Sequence, residues 1–329
     1  MANNQILVEN VNKTFWIPDK AEGFLPKLKN IFIRKKKDKK AISELSFSIK
    51  EGELVGYIGE NGSGKSTTIK MLVGIYPPTS GIIKCLDKDP FEERLDYVKD
   101  IGVVFGNRSL LTYDIAPKYS LDLYAAIYDI PAKKAVEIYT GFSKRLKVEH
   151  LLDVPVRKLS LGERMKFEII ASLMHKPKII FLDEPTIGLD LLAREEIILF
   201  LKEVNEKNKT TIILTTHNMD DIEELCDRVI IIDDGKKIYD GPIKEVKKAY
   251  VSWKRITVIH DAELKKFKHN FEIFEEKKGY LQFKCPNEKL KATISQLVDC
   301  FDIVDLRIEE PQLKEIVKKI YVDKVVKTK

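Results

Sequence analysis

Nine consecutive residues, Gly59-Glu60-Asn61-Gly62-Ser63-Gly64-Lys65-Ser66-Thr67, have the composition that phosphate binding demands. They fit G-x-x-x-x-G-K-[ST] and lie between a strand pattern over 53–58 and a helix pattern starting at Lys65. Glycines let backbone N–H groups turn inward and approach phosphate oxygens closely. The helix that follows adds partial positive charge at its N-terminus. Lys65 carries an ammonium that suits β- and γ-phosphates, and the Ser66 hydroxyl is a ligand for Mg²⁺. Gly59, Asn61, Gly62, Ser63, Gly64, Lys65, Ser66 and Thr67 are therefore the expected nucleotide-binding set.

A second group gains its meaning from the first. Ile179-Ile180-Phe181-Leu182-Asp183-Glu184 reads as a buried strand that delivers two carboxylates at its C-terminal end. Ligands of open α/β sheets bind at that end. Asp183 is placed to help hold Mg²⁺, directly or through water. Glu184 is placed to polarise an attacking water as general base. A phosphate loop followed by such a strand is the pattern of a P-loop NTPase.

The elements that must position these groups alternate. Strands are expected near 5–15, 42–49, 53–58, 81–86, 101–105, 179–183, 210–215 and 228–233. Helices are expected over 65–73, 119–150, 161–175, 191–206 and 219–226. That alternation predicts an α/β domain with a largely parallel sheet. Residues 16–40, with Pro18, Gly23 and Pro26, read as an irregular basic insertion. The run Arg34-Lys35-Lys36-Lys37-Asp38-Lys39-Lys40 reads as a solvated loop or, alternatively, as a contact for anionic lipid headgroups. Past residue 246 the composition shifts. Strands at 254–260, 271–276, 279–285 and 302–309, with helices at 261–268, 287–299 and 311–321, predict a small α+β ferredoxin-like domain over 247–329. That domain shows no Cys/His cluster and no convincing carboxylate pair.

Further segments resemble the ABC (ATP-binding cassette) family. Leu159-Ser160-Leu161-Gly162-Glu163 is similar to its signature, usually LSGGQ. Asp183-Glu184-Pro185-Thr186 leads to Gly188-Leu189-Asp190, which looks like the D-loop, and His217 looks like the switch histidine. All occur in the family's order, over about residues 5–246. The resemblance implies a RecA-like core with a helical subdomain at about 108–165. It implies a head-to-tail dimer of two copies around two ATP molecules, each held between one phosphate loop and the other copy's Ser160 and Gly162. Phe15 matches the aromatic that stacks on adenine. Asn107 stands where the family has a glutamine contacting Mg²⁺ or water. Leu161 and Glu163 depart from the signature. The resemblance is greatest to exporter ATPases whose permease is a separate polypeptide, docked by the helical segment. A soluble ABC protein without a permease and a nucleotide-gated regulator are the competing readings. Only one phosphate loop and no long heptad run occur, which weighs against the first; Glu184 and His217 weigh against the second.

Composition sets the outer bounds. The chain has 329 residues, 44% hydrophobic and 33% charged, enough for two domains. A net charge of +6 falls short of a nucleic-acid footprint, so no nucleic-acid partner is expected. No run approaches the roughly 18 apolar residues of a spanning helix, and the first residues lack a secretory pattern. A cytoplasmic protein, peripheral on the inner face of the membrane, is expected. Cys85, Cys226, Cys285 and Cys300 are scattered and read as reduced thiols.

Overall fold

The computed structural model describes residues 4–18, 36–106, 108–261 and 270–327. They form two compact units, Met1–Gly241 and Pro242–Lys329.

In the first unit, β1 (Asn4–Pro18), β2 (Lys36–Lys50) and β4 (Ser80–Cys85) make an antiparallel sheet in the order β2-β1-β4. A second sheet runs in the order β5-β6-β7-β3-β8-β9. Its members are β3 (Leu54–Gly59), β5 (Ile101–Phe105), β6 (Ile179–Asp183), β7 (Thr211–Thr215), β8 (Arg228–Asp233) and β9 (Lys236–Pro242). The pairings β5–β6, β6–β7, β7–β3 and β3–β8 are all parallel. Central strands of such a sheet are covered on both faces and so read as unbroken apolar runs. Ile179–Leu182 and Val229–Ile232 are buried in this way. Ile6, Val8, Ile42, Leu45 and Phe47 from the antiparallel sheet share one core with Val55, Tyr57, Phe181 and Ile230 of the parallel sheet. Ile69 and Leu72 join it from α1 (Lys65–Leu72).

The helices of this unit follow in order. They are α2 (Arg94–Tyr97), α3 (Pro117–Ile127), α4 (Ala132–Arg145), α5 (Leu161–Leu173), α6 (Leu191–Asn208) and α7 (Met219–Leu225). The helical stretch expected over 119–150 is broken at Ile130-Pro131, because proline disfavours helix in the residue before it.

The irregular insertion expected over 16–40 requires correction at both ends. Thr14 to Pro18 pair with Lys40 to Lys36, so the antiparallel ladder continues through them. The described part of the basic run is strand, not loop. Alternation of polar and apolar residues fades there, since an edge ribbon has no core-facing side to enforce it. Arg34 and Lys35 lie outside the described residues, as do residues 262–268 of the helix expected over 261–268.

The second unit contains α8 (Ile243–Tyr250), β10 (Trp253–His260), β11 (Ile273–Lys277), β12 (Tyr280–Pro286), α9 (Leu290–Cys300), β13 (Ile303–Glu309) and α10 (Leu313–Lys327). Its sheet is antiparallel in the order β11-β12-β10-β13. Ile256, Val258, Leu281 and Phe283 pack with Leu297 of α9. Neither β9 nor α8 was anticipated; the turn Asp234-Gly235 ahead of β9 was the available signal.

Cys85, Cys226 and Cys285 are buried, Cys300 is half-buried, and all four are free thiols. Burial pushes the Cys85 thiol up to about 12, which suits an inert core residue. Among the described residues no helix is long and apolar enough to cross a membrane.

Asn205, near the end of α6, donates 2.8 Å hydrogen bonds to the Gly52 and Thr210 carbonyls, pinning the helix to the starts of β3 and β7. Asn205→Ala leaves those acceptors unmatched. It is expected to lower the unfolding free energy by about 1–3 kcal/mol in urea titration while ATP affinity stays unchanged.

Candidate functional site

The C-terminal ends of β3, β6 and β7 meet at one cleft of about 980 Å³, a size that suits a nucleotide. Gly62, Lys65 and Ser66 line it from the phosphate loop, Asp183 and Glu184 from β6, and His217 from the loop after β7.

The turn between β3 and α1 is fixed by close contact. Gly64 caps α1 at φ 106°, and a Cβ there would lie 2.5 Å from Ile42 Cδ1 and 2.9 Å from the Ala41 carbonyl. The turn after β8 holds the loop from the other side: Gly235 N donates to the Ser63 carbonyl at 3.0 Å, and Ser43 N to the Gly235 carbonyl at 2.9 Å. No side chain caps α1, so its first N–H groups remain for a ligand. The Ser63 hydroxyl is buried without a hydrogen bond among the described residues. The Lys65 ammonium donates to the carbonyls of Gly59 at 2.7 Å and Glu60 at 3.1 Å. Burial holds its pKa below the usual lysine value, against the opposing pull of Glu184 and Asp183. Orphan N–H groups, a buried hydroxyl and a cation arranged together fit a phosphate chain.

Asp183 accepts from the Thr215 hydroxyl at 2.5 Å, which restrains its carboxylate in the cleft lining. Glu184 has φ 60°, a left-handed conformation that is costly for a residue with a side chain. Its N–H donates to the Thr215 carbonyl at 3.0 Å, and its carboxylate lies 2.9 Å from His217 Nε2. Burial raises the Glu184 pKa, while His217 and Lys65 pull it back. Gly106 N donates to the Asp183 carbonyl at 2.9 Å, so Gly106 is tied to the end of β6. Asn107 itself lies outside the described residues. Just beyond it, the buried Glu168 of α5 accepts from the Ser109 hydroxyl and, at 2.6 Å, from Leu110 N.

Phe15 and Trp16 close the far end of the cleft. Phe15 stands edge-on to Tyr76 with ring centres 5.5 Å apart, and the Lys13 ammonium sits 5.1 Å from its ring centre. Trp16, Lys39, Lys40 and Asp234 also line the cleft and were missed by sequence reasoning. Trp16 beside Phe15 was the visible signal; the lysines were hidden by the loop assignment.

Ser160, Gly162 and Asp190 lie outside that lining and gather elsewhere. Ser160 caps α5 in a reciprocal box: Glu163 N donates to its hydroxyl at 3.2 Å, and its N–H donates to the Glu163 carboxylate at 2.8 Å. Asp190 caps α6 by accepting from Ala193 N at 3.0 Å. The two helix starts touch, since a Cβ on Gly162 would fall 2.7 Å from the Ala193 Cβ. Glu163 thus has a local task that glutamine performs equally well, which accounts for that departure from the signature. No group of three metal-ligating side chains occurs among the described residues.

A parallel sheet, a glycine-rich phosphate turn after β3 and two carboxylates at the end of β6, one strand removed from it, define a P-loop nucleoside triphosphatase of the cassette type. A family model described as "ABC transporter" matches residues 42–187. The chain is 33% identical over 215 residues to "ABC transporter ATP-binding protein NatA" of Bacillus subtilis (strain 168), covering 65% of this chain and 87% of that one. It is 34% identical over 233 residues to "Nod factor export ATP-binding protein I" of Ralstonia nicotianae, covering 70% and 71%. Among solved structures it resembles a dimeric ATP-binding cassette, MJ0796, in a post-hydrolysis state with ADP and Pi. The TM-score there is 0.59 at 25% identity, covering 72% of this chain and 98% of that one. The chain belongs to the ABC transporter ATP-binding protein family, and it is an ATPase.

The capping box gives a direct test of the Glu163 assignment. Glu163→Gln is expected to leave stability within about 0.5 kcal/mol of wild type, and Glu163→Ala to cost about 1 kcal/mol, both read from chemical denaturation midpoints.

Proposed function

We propose that this chain powers export through a separately encoded membrane permease, acting as a head-to-tail pair that closes on two Mg²⁺-ATP molecules. The observation that carries the hydrolytic part is the Glu184–His217 contact at 2.9 Å at the mouth of a phosphate cradle. In this reading Phe15 stacks on adenine, with Asn61 beside the phosphates. Gly59, Gly62, Ser63, Gly64, Lys65, Ser66 and Thr67 wrap the phosphate chain. Ser66 and Asp183, joined by Asn107, supply the hard oxygen donors that suit Mg²⁺. A Mg²⁺ held by these residues would neutralise negative charge on the phosphates. Glu184 takes the proton of the attacking water, and His217 orients Glu184 and faces the γ-phosphate. The Ser160–Gly162 helix start and Asp190 serve the nucleotide of the partner copy.

Support for a permease comes from α3. Tyr119, Leu123 and Ile127 are spaced by four residues and are 55%, 56% and 60% exposed, so they form one apolar stripe. Tyr113 nearby is also exposed. Export is the direction favoured by the likeness to the Nod factor export protein. The chain then sits at the cytoplasmic face of the membrane through its partner.

Glu184→Gln is expected to lower kcat by about 100-fold or more and to trap an ATP-bound dimer visible by size-exclusion chromatography. A variant that turns over ATP normally refutes the base assignment. A raised Glu184 pKa means that the base is still protonated at a pH where an ordinary glutamate, near 4.3, has ionised. The rate should therefore fall, as pH drops, at a higher pH than an ordinary glutamate dictates, and this acid limb should vanish in Glu184→Gln.

Leu123→Asp together with Ile127→Lys should leave ATP binding unchanged but abolish co-sedimentation with membranes of the source cell. Uptake of cargo, rather than extrusion, by permease-containing vesicles supplied with ATP on the cassette side would overturn the export direction.

A further inference from the structure

Asp221, in the first turn of α7, has a completely buried side chain. An isolated carboxylate in that position is strongly disfavoured, yet this one is fully satisfied. One oxygen, Oδ2, accepts from the Thr186 hydroxyl at 2.5 Å and from the Thr216 hydroxyl at 3.2 Å. The other, Oδ1, accepts from Arg194 Nε and from Asn218 Nδ2 at 3.3 Å. Arg194 also reaches Glu224 at 3.4 Å. An ionised carboxylate offers about four acceptor positions, and four donors converge here.

The donors come from three separate segments. Thr186 follows Glu184 by two residues. Thr216 immediately precedes His217. Arg194 belongs to the first turn of α6, four residues past its cap, Asp190. A single oxygen therefore ties down the segments on either side of the Glu184–His217 contact. Glu184 needs such support, because a left-handed backbone at a residue with a side chain persists only where its surroundings over-determine it. The same carboxylate grips the helix whose start packs on Gly162.

We propose that Asp221 is a positioning residue for hydrolysis: it locks the Glu184 and His217 loops to each other and to the start of α6. The proposal rests on the reading of Glu184 and His217 as the hydrolytic pair. Asparagine cannot replace it, since an amide presents a donor to at least one of these donors. Thr186→Val and Thr216→Val each remove one hydroxyl and keep the side-chain shape, while the Asp221–Arg194 pair stays intact.

The test measures ATP turnover, ATP affinity and thermal stability of the full chain. Thr186→Val and Thr216→Val are each expected to lower kcat at least tenfold with the ATP dissociation constant changed less than twofold and cooperative melting retained. Asp221→Leu combined with Arg194→Met replaces the buried ion pair with apolar groups, which proteins often tolerate. It is expected to melt near wild type yet stay at least tenfold slow. In a cycle with His217→Ala under single-turnover conditions, Thr186→Val should add little further loss, because both act on one unit. Wild-type kcat in the folded threonine variants, kcat that recovers with stability in the double variant, or full additivity with His217→Ala would each overturn the proposal. Glu184→Gln is the control that separates the two levels. If it is inactive while the threonine variants are normal, only the role of Asp221 falls; if it is fully active, the hydrolytic reading falls and takes Asp221 with it.

Discussion

A phosphate chain with several negative charges can be held by backbone amides only where the chain turns with no side chain in the way, and the rest of this cassette is arranged around that constraint. The seven positions Gly59 to Lys65 run between the end of β3, the Ala41–Ile42 segment of β2 and the turn at Gly235. Space at Gly64 is set by Ile42, so the antiparallel sheet must lie where it does for the loop to keep its shape. The Ser63 carbonyl is tied to Gly235, which gives the β8–β9 turn a purpose that the β9 strand alone would not explain. Two sheets and a hairpin thus converge on one backbone turn.

The parallel sheet then determines which chemistry reaches the loop. Adjacent strands share a direction, so β3, β6 and β7 present their ends on one edge, as ligand sites in open α/β sheets require. Asp183 is held by Thr215 from the next strand, and Glu184 receives both its backbone restraint and its histidine from the same neighbour. Glu184 and Asp183 oppose the lowering of the Lys65 pKa that its burial causes. Charge balance in the cleft is therefore a product of strand order rather than of any single motif.

The most legible parts of the sequence were those in which backbone shape or burial dictates residue type. Gly62, Gly64 and Lys65 announce the phosphate turn, and the apolar run before Asp183 and Glu184 announces a strand covered on both faces. The edge ribbon was illegible: Lys36 to Lys40 look like a solvated loop because an edge strand has no buried face to impose alternation, so Lys39, Lys40 and Trp16 went unseen beside the cleft. Asp221 was hidden differently. It stands in Asn218-Met219-Asp220-Asp221-Ile222-Glu223-Glu224, where composition suggests a solvated acidic face. Only the helical phase shared with the buried Ile222 and Leu225 separates this carboxylate from its neighbours, and short helices carry too few turns to fix that phase.

The signature segment presents the opposite situation, in which the local structure is finished but its use is not evident within one chain. Ser160 and Glu163 satisfy each other, Gly162 lies against Ala193, and Asp190 caps the adjoining helix. These helix starts are well ordered by their own contacts, and they lie outside the lining of the nucleotide cleft. A helix N-terminus stabilises an anion only within about its first turn. In the proposed head-to-tail pair of identical cassettes, the phosphate that suits them is carried by the other copy, and symmetry provides two such encounters. On that arrangement the link from α6 through Arg194 to Asp221 has a physical sense: whatever presses on the start of α6 at the interface also bears on the two loops that hold Glu184 and His217.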